Sequence, residues 1–200
     1  MNANFAFLNS FADIDEAAFD KLKKISSYQI LNKHEVIVKE GEIPSSGIYM
    51  LISGIMRAYI DAESGKQYNK KIFAPRSFVG ALTAIITRKP SKLTYQALTK
   101  CEVFEIDFIG FLDLCKNDIK ISNLYNKILE NIFIEYERRS LELMSLDATE
   151  RYKVLRKRIS NIDDLIPQFQ IASFLNITPV QLSRIRKKMN QIVLYKHMLI

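Results

Sequence analysis

The stretch QFQIASFLNITPVQLSRIRK, Gln168 to Lys187, decides the reading of this chain. It reads as two helices joined by a tight turn. Ile171 and Leu175 lie four residues apart and form one apolar face of the first helix. Ala172 is small and lets a second helix approach closely. Asn176 tolerates the left-handed backbone that a short turn needs, and Ile177 plugs the turn. Thr178 is a good N-cap, and Pro179 suits the first helical position. Leu182 and Ile185 then recur at i, i+3 toward a core. Val180, Gln181, Ser183, Arg184, Lys187 and Lys188 are left for an outer face. This grammar fits a helix-turn-helix, whose second helix enters the DNA major groove. A plain helical hairpin is the alternative.

The charge distribution bears on that choice. Residues 149–200 carry 10 basic and 3 acidic side chains, whereas residues 1–148 carry 19 of each, so the net +7 of the chain lies in its last quarter. A basic patch confined to one segment is the electrostatic footprint of a polyanion partner. A solvated basic tail is the plain reading of the same count.

Upstream, the helical period holds from Asp118. No Pro or Gly interrupts residues 111–166, and a helix over 118–146 would be about 43 Å long. Its apolar positions Ile121, Leu124, Ile128, Ile132 and Tyr136 could cover the chain's own core or face a second copy. Further upstream the period is two. Val36-Ile37-Val38, Ile48 to Ile52, Ile55 to Ile60, Tyr95 to Leu98 and Val103 to Ile106 read as short strands. Gly41, Pro44 to Gly47, Gly54 and Asp61 to Gly65 punctuate them. Such spacing suggests a compact β-barrel or sandwich. Residues 11–26 read as an opening helix capped by Asp13 or Asp15. The expected division is therefore a β domain over 1–116, a long helix over 117–147 and an all-α domain over 148–200, an α+β chain.

Other classes find little support. Met1 to Ser10 lacks a basic start followed by an apolar run, so no secretory leader is expected. No apolar stretch approaches the length of a membrane span. Cys101 and Cys115 fit a reducing cytosol better than a disulfide framework, and with His34 and His197 they show no metal-ligand spacing. No nucleophile–base set, Walker loop or paired-carboxylate motif is present, so no enzyme and no cofactor are expected.

Gly41-Glu42, Ile48 to Leu51, Gly54, Cys101 to Ile106, the long helix and Ile171 to Lys187 together resemble the Crp/Fnr family of bacterial regulators. The last stretch is similar to short members found in Bacteroidetes. The resemblance implies a jelly-roll-like β-roll of the cyclic-nucleotide-binding type and a C-terminal helix-turn-helix domain. It also implies a cytoplasmic homodimer through the long helix, binding double-stranded promoter DNA and working with RNA polymerase. It places Pro179, Val180 and Arg184 at base-reading positions. Thr178, Gln181, Ser183, Lys187 and Lys188 are the expected phosphate contacts. Pro179 and Val180 depart from the usual Arg-Glu pair, so a different operator is expected. A sensor acting through a protein partner is the alternative function.

The effector segment departs further. Nucleotide-binding members carry a Gly-Glu pair and, ten residues after the Glu, an Arg-Ser pair. Here the matching residues are Gly80, Ala81, Ser91 and Lys92. An alanine cannot accept the ribose hydrogen bond, and a serine cannot fork onto a cyclic phosphate. Lys92 would alternate to the other face of an extended strand. Binding of cyclic AMP is therefore not expected. Two cysteines are too few for an iron–sulfur sensor, and His34 and His197 are poorly placed as haem ligands.

Overall fold

The structure, a computed structural model, describes residues 3–197, with side-chain surroundings through Gln191. The His197 side chain, considered above as a haem ligand, lies outside that range. Two short helices open the chain, α1 (Ala3–Asn9) and α2 (Glu16–Lys24). The Asp15 carboxylate caps α2 by accepting the Ala18 N–H at 2.8 Å, which selects it over Asp13. The strands are β1 (Ser26–Leu31), β2 (Val36–Val38), β3 (Gly47–Ser53), β4 (Met56–Asp61), β5 (Gln67–Phe73) and β6 (Ser77–Val79). A short helix α3 (Leu82–Thr87) precedes β7 (Thr94–Ala97) and β8 (Cys101–Asp107). They form two antiparallel four-stranded sheets, in the orders β1-β8-β3-β6 and β2-β7-β4-β5. The β4–β5 hairpin turns at Gly65, at φ +76°, with Gly65 N–H on the Ala62 carbonyl. The fold class is thus α+β, with a jelly-roll-like β domain followed by helices. The segment containing β5, β6 and α3 carries no strong periodic signal and is defined by the structure alone.

Both sheets are covered on both faces, and this explains the nearly unbroken apolar run of β3. Tyr49 and Leu51 point into the roll with Met56, Phe73, Val79 and Val103. Ile48, Met50 and Ile52 alternate to the other face, under α1, α2 and the helix α4 (Phe108–Asn117). On the second sheet, Met56 and Ala58 point inward, while Ile55 and Ile72 face the C-terminal helices.

The long helix α5 (Ile119–Ser145) starts at Asp118, whose carboxylate accepts the Lys120 and Ile121 N–H groups. Ile121 and Leu124 are 0% and 1% exposed and pack with Leu22, Phe108 and Phe111 of their own chain. They are therefore unavailable to a second copy, against the expectation above. The first two turns of the apolar stripe serve the chain's own core. Ile128 and Ile132 are half-buried, and Tyr136 is exposed.

After a break at Leu146, the helices α6 (Ala148–Arg158), α7 (Ile162–Leu165), α8 (Gln168–Leu175) and α9 (Pro179–His197) close the chain. A capping box between Asp147 and Glu150 starts α6. Tyr152, Leu155, Ile162, Ile171, Leu175 and Leu182 form one core with Ile55, Ile72 and Leu98 of the roll. Among the described residues, no helix is long and apolar enough to cross a membrane.

Candidate nucleic-acid interface and effector cavity

The α8–turn–α9 unit follows the expected chemistry closely. Asn176 takes the left-handed conformation at φ 56° and ψ 45°. Its N–H donates to Ser173 O at 3.2 Å, and Ile177 N–H donates to Ala172 O at 3.0 Å. The last two carbonyls of α8 are satisfied from a distance in sequence. Arg139 of α5 donates to Phe174 O at 2.5 Å, and Arg151 of α6 donates to Leu175 O at 3.2 Å. A helix end leaves its final carbonyls without partners inside the helix, and here two guanidiniums supply them. Arg139 also lies over the Phe174 ring at 4.1 Å. Neither arginine stood out in the sequence, because nothing local links them to α8.

At the start of α9, Gln181 N–H donates to Thr178 Oγ1 at 3.1 Å, and Thr178 N–H donates to Gln181 Oε1 at 2.8 Å. This reciprocal cap engages both side chains, which were expected at phosphates. Leu182 is fully buried, and Ile185 and Met189 pack against the same core. Pro179, Val180, Gln181, Ser183, Arg184, Lys187 and Lys188 are all exposed, so the helix presents one outward face with three cations. Among the described residues, no ion pair holds Arg184, Lys187 or Lys188, whereas Arg186 turns back toward Asp163 at 3.7 Å.

A polar contact missed in the sequence docks α8 on the roll. Arg57 of β4 is 5% exposed. Its guanidinium donates to Gln96 Oε1 at 2.7 and 3.0 Å, to Gln67 Oε1 at 2.7 Å and to Gln170 Oε1 at 3.0 Å. No carboxylate hydrogen-bonds to it among the described residues, and burial is the main cause holding its pKa below the ordinary arginine value. Asn69 of β5 donates to Gln170 O and Oε1 at 2.9 and 2.7 Å, and Asn69 N–H donates to Ser173 Oγ at 2.9 Å. The signal available in the sequence was Gln170, a polar residue beside Ile171 on a buried helix face.

The structure brings the four effector-segment residues together. Gly80, Ala81, Ser91 and Lys92 line one cavity of about 730 Å³ that runs from the roll interior into the space between the first sheet and α1, α2, α4 and α5. Ala81 is 3% exposed and packs with Ala84 in the roll core. Ser91 Oγ donates to Leu93 O at 2.7 Å and accepts from Leu93 N–H at 3.2 Å. Its backbone is tied to Gly41 and Glu42. The hydroxyl is thus spent on the loop. Lys92 is exposed. Tyr95, on the cavity wall, has its phenol pushed up to about 12, chiefly by burial.

Residues 28–118 match the family model described as the cyclic nucleotide-binding domain. Solved structures with a similar fold include FixK2 from Bradyrhizobium japonicum, at TM-score 0.70 and 16% identity, covering 84% of this chain and 85% of that one. The c-di-GMP-responsive global regulator CLP of Xanthomonas campestris matches at TM-score 0.66 and 17% identity, covering 88% and 92%. A protein from Eubacterium rectale, described as a transcriptional regulator of the Crp/Fnr family, matches at TM-score 0.66 and 16% identity, covering 89% and 84%. No curated protein matches in sequence. The chain therefore contains a domain of the cyclic-nucleotide-binding type and shares its fold with Crp/Fnr regulators.

Proposed function

We propose that this protein is a homodimeric, sequence-specific DNA-binding regulator of the Crp/Fnr type, whose nucleotide pocket has lost the family's charges. The outward face of α9 carries the reading: Val180, Arg184, Lys187 and Lys188 stand exposed on a helix whose other side is locked by Leu182 and a reciprocal cap. Such a rigid, basic, protruding helix suits the major groove. Pro179, Val180 and Arg184 are assigned to base edges. Ser183, Lys187 and Lys188 are assigned to phosphates, with the Thr178 hydroxyl and the Gln181 side-chain amide N–H left as donors beside their cap. RNA polymerase is the partner implied by promoter binding.

The dimer face follows from α5. Leu129, Phe133, Tyr136 and Leu143 fall on one stripe, with Ser140 between, at alternating spacings of four and three. Phe133, Tyr136 and Leu143 are 69%, 50% and 44% exposed. Rings and a leucine at heptad spacing are suited to a second helix and costly in water. With Ile128 and Ile132 at its edge, this stripe replaces Ile121 and Leu124 as the proposed interface.

Selection of bound duplexes from a random pool tests the reading. The expected product is a palindrome with half-sites about 34–36 Å apart. Recovery of unselected sequence at every salt concentration overturns sequence-specific binding.

A further inference from the structure

The cavity in the roll is apolar within and cationic at its edge. Ala58, Phe73, Ala84, Leu93 and Tyr95 form its inner wall. Lys23, Lys70, Lys71, Lys89 and Lys92 line it too, and no Asp or Glu does among the described residues. Four of these lysines are exposed and Lys71 is half-buried. Lys71 pairs across the strands with Ala58 on the inner wall. Its Nζ lies 5.1 Å over the Phe73 ring and 2.7 Å from Glu135 Oε2 on α5.

Resting on the reading of the chain as a regulator of the Crp/Fnr type, we propose that this cavity binds an amphipathic organic monoanion of the fatty-acid kind, its carboxylate at Lys71 and Lys92 and its hydrocarbon body along the inner wall. Three observations exclude a better fit to a nucleotide. Ala81 offers no acceptor to a ribose, the Ser91 hydroxyl is already bonded to Leu93, and the wall is too apolar to satisfy a base and a sugar. Burial of a hydrocarbon against such a wall is favourable in itself, and the volume lies within the range of small-molecule sites. Lys23 and Lys71 are paired with Asp20 and Glu135, whereas among the described residues no ion pair holds Lys70, Lys89 or Lys92, and the net positive rim that remains attracts one negative head group.

The same strand carries the consequence. Lys71 and Asn69 both belong to β5, and Asn69 with Gln67 holds α8 through Ser173 and Gln170. A ligand carboxylate that draws Lys71 from Glu135 therefore acts on the strand to which α8 is docked.

The test is fluorescence titration of the full chain, without DNA, using 11-(dansylamino)undecanoic acid and its methyl ester. The acid is expected to saturate at micromolar concentration, with the ester at least about tenfold weaker. Lys71→Met is expected to erase most of that difference, and Ala84→Trp to abolish binding with an unchanged circular dichroism spectrum. Should either variant fail to fold, the acid–ester comparison on the unaltered chain decides. Equal binding of acid and ester, no saturation by about 100 μM, or displacement of the probe by micromolar cyclic AMP overturns the proposal. Operator binding in a separate shift assay, without acid binding, overturns the ligand class and leaves the regulator reading standing. Acid binding without any DNA binding does the reverse.

Discussion

Arg184 projects from α9 with no hydrogen bond or ion pair among the described residues, one turn beyond Val180. A guanidinium so placed can fork onto O6 and N7 of a guanine. Arg184→Ala is expected to cost about 1–3 kcal/mol at the selected operator and little on random duplex, measured by titration against both. An equal loss on both would make Arg184 a phosphate contact. Lys187 is exposed on the same side of the helix. Lys187→Ala is expected to lower the salt slope of binding by about one unit, and an unchanged slope removes it from the interface. Thr178 and Gln181 belong to a different account, because their side chains bond each other's backbone. Their polarity is explained by the cap they form, before any contact with DNA is invoked.

Among the elements, α5 is divided between two duties. Its first two turns bury Ile121 and Leu124 against α2 and α4. Its middle exposes Phe133 and Tyr136. Near its end, Glu142 is 8% exposed and lies between Arg139 and Arg158, while Arg139 holds the end of α8. The long helix therefore positions α8 as well as exposing the stripe proposed for a second copy. Light scattering at micromolar concentration is expected to give a dimer, and Phe133→Asp a monomer with weakened operator binding, since one half-site alone is then engaged. A monomeric unaltered chain with full DNA affinity would sink the dimer.

At the scale of the whole molecule, the roll lies between two helical layers, α1, α2, α4 and α5 on one sheet and α6 to α9 on the other. The second contact is mixed. Ile55, Ile72 and Leu98 supply apolar area, and Arg57, Asn69 and Gln170 supply hydrogen bonds whose geometry fixes the docking angle of α8. Breaking such a buried network leaves unsatisfied polar groups, so the two halves are expected to shift together rather than slide. The cavity sits on the other side of the same sheet. Titration calorimetry is expected to show no heat with cyclic AMP or cyclic GMP at about 100 μM, because hydrogen bonds to charged groups contribute about 1.5–3 kcal/mol each and both charged residues of the pair are missing. Operator binding is expected to need neither nucleotide. Micromolar binding of either would mean that Lys92 or another cation has taken over the phosphate.

Local chemistry was legible in the chain itself. The α8–turn–α9 unit could be read because each piece depends on neighbours within four residues: a left-handed Asn176, a capping Thr178, a Pro179 without an N–H. The period-two strands could be read for the same reason, and the Ala81 and Ser91 replacements followed from the resemblance to the Crp/Fnr family. What packs against what was decided only in three dimensions. The stripe of α5 shows an apolar face but not which turns meet the chain's own core and which remain outside. Arg57 reads as an ordinary charge on a strand until β4, β5, β7 and α8 surround it with amide oxygens from residues 10 to 113 positions away. The lysines of the cavity likewise converge from α2, β5 and the α3–β7 loop. Helix caps and strand periods are short-range and leave their mark in sequence order. Docking and cavity lining join residues distant in the chain, and only the folded backbone brings those together.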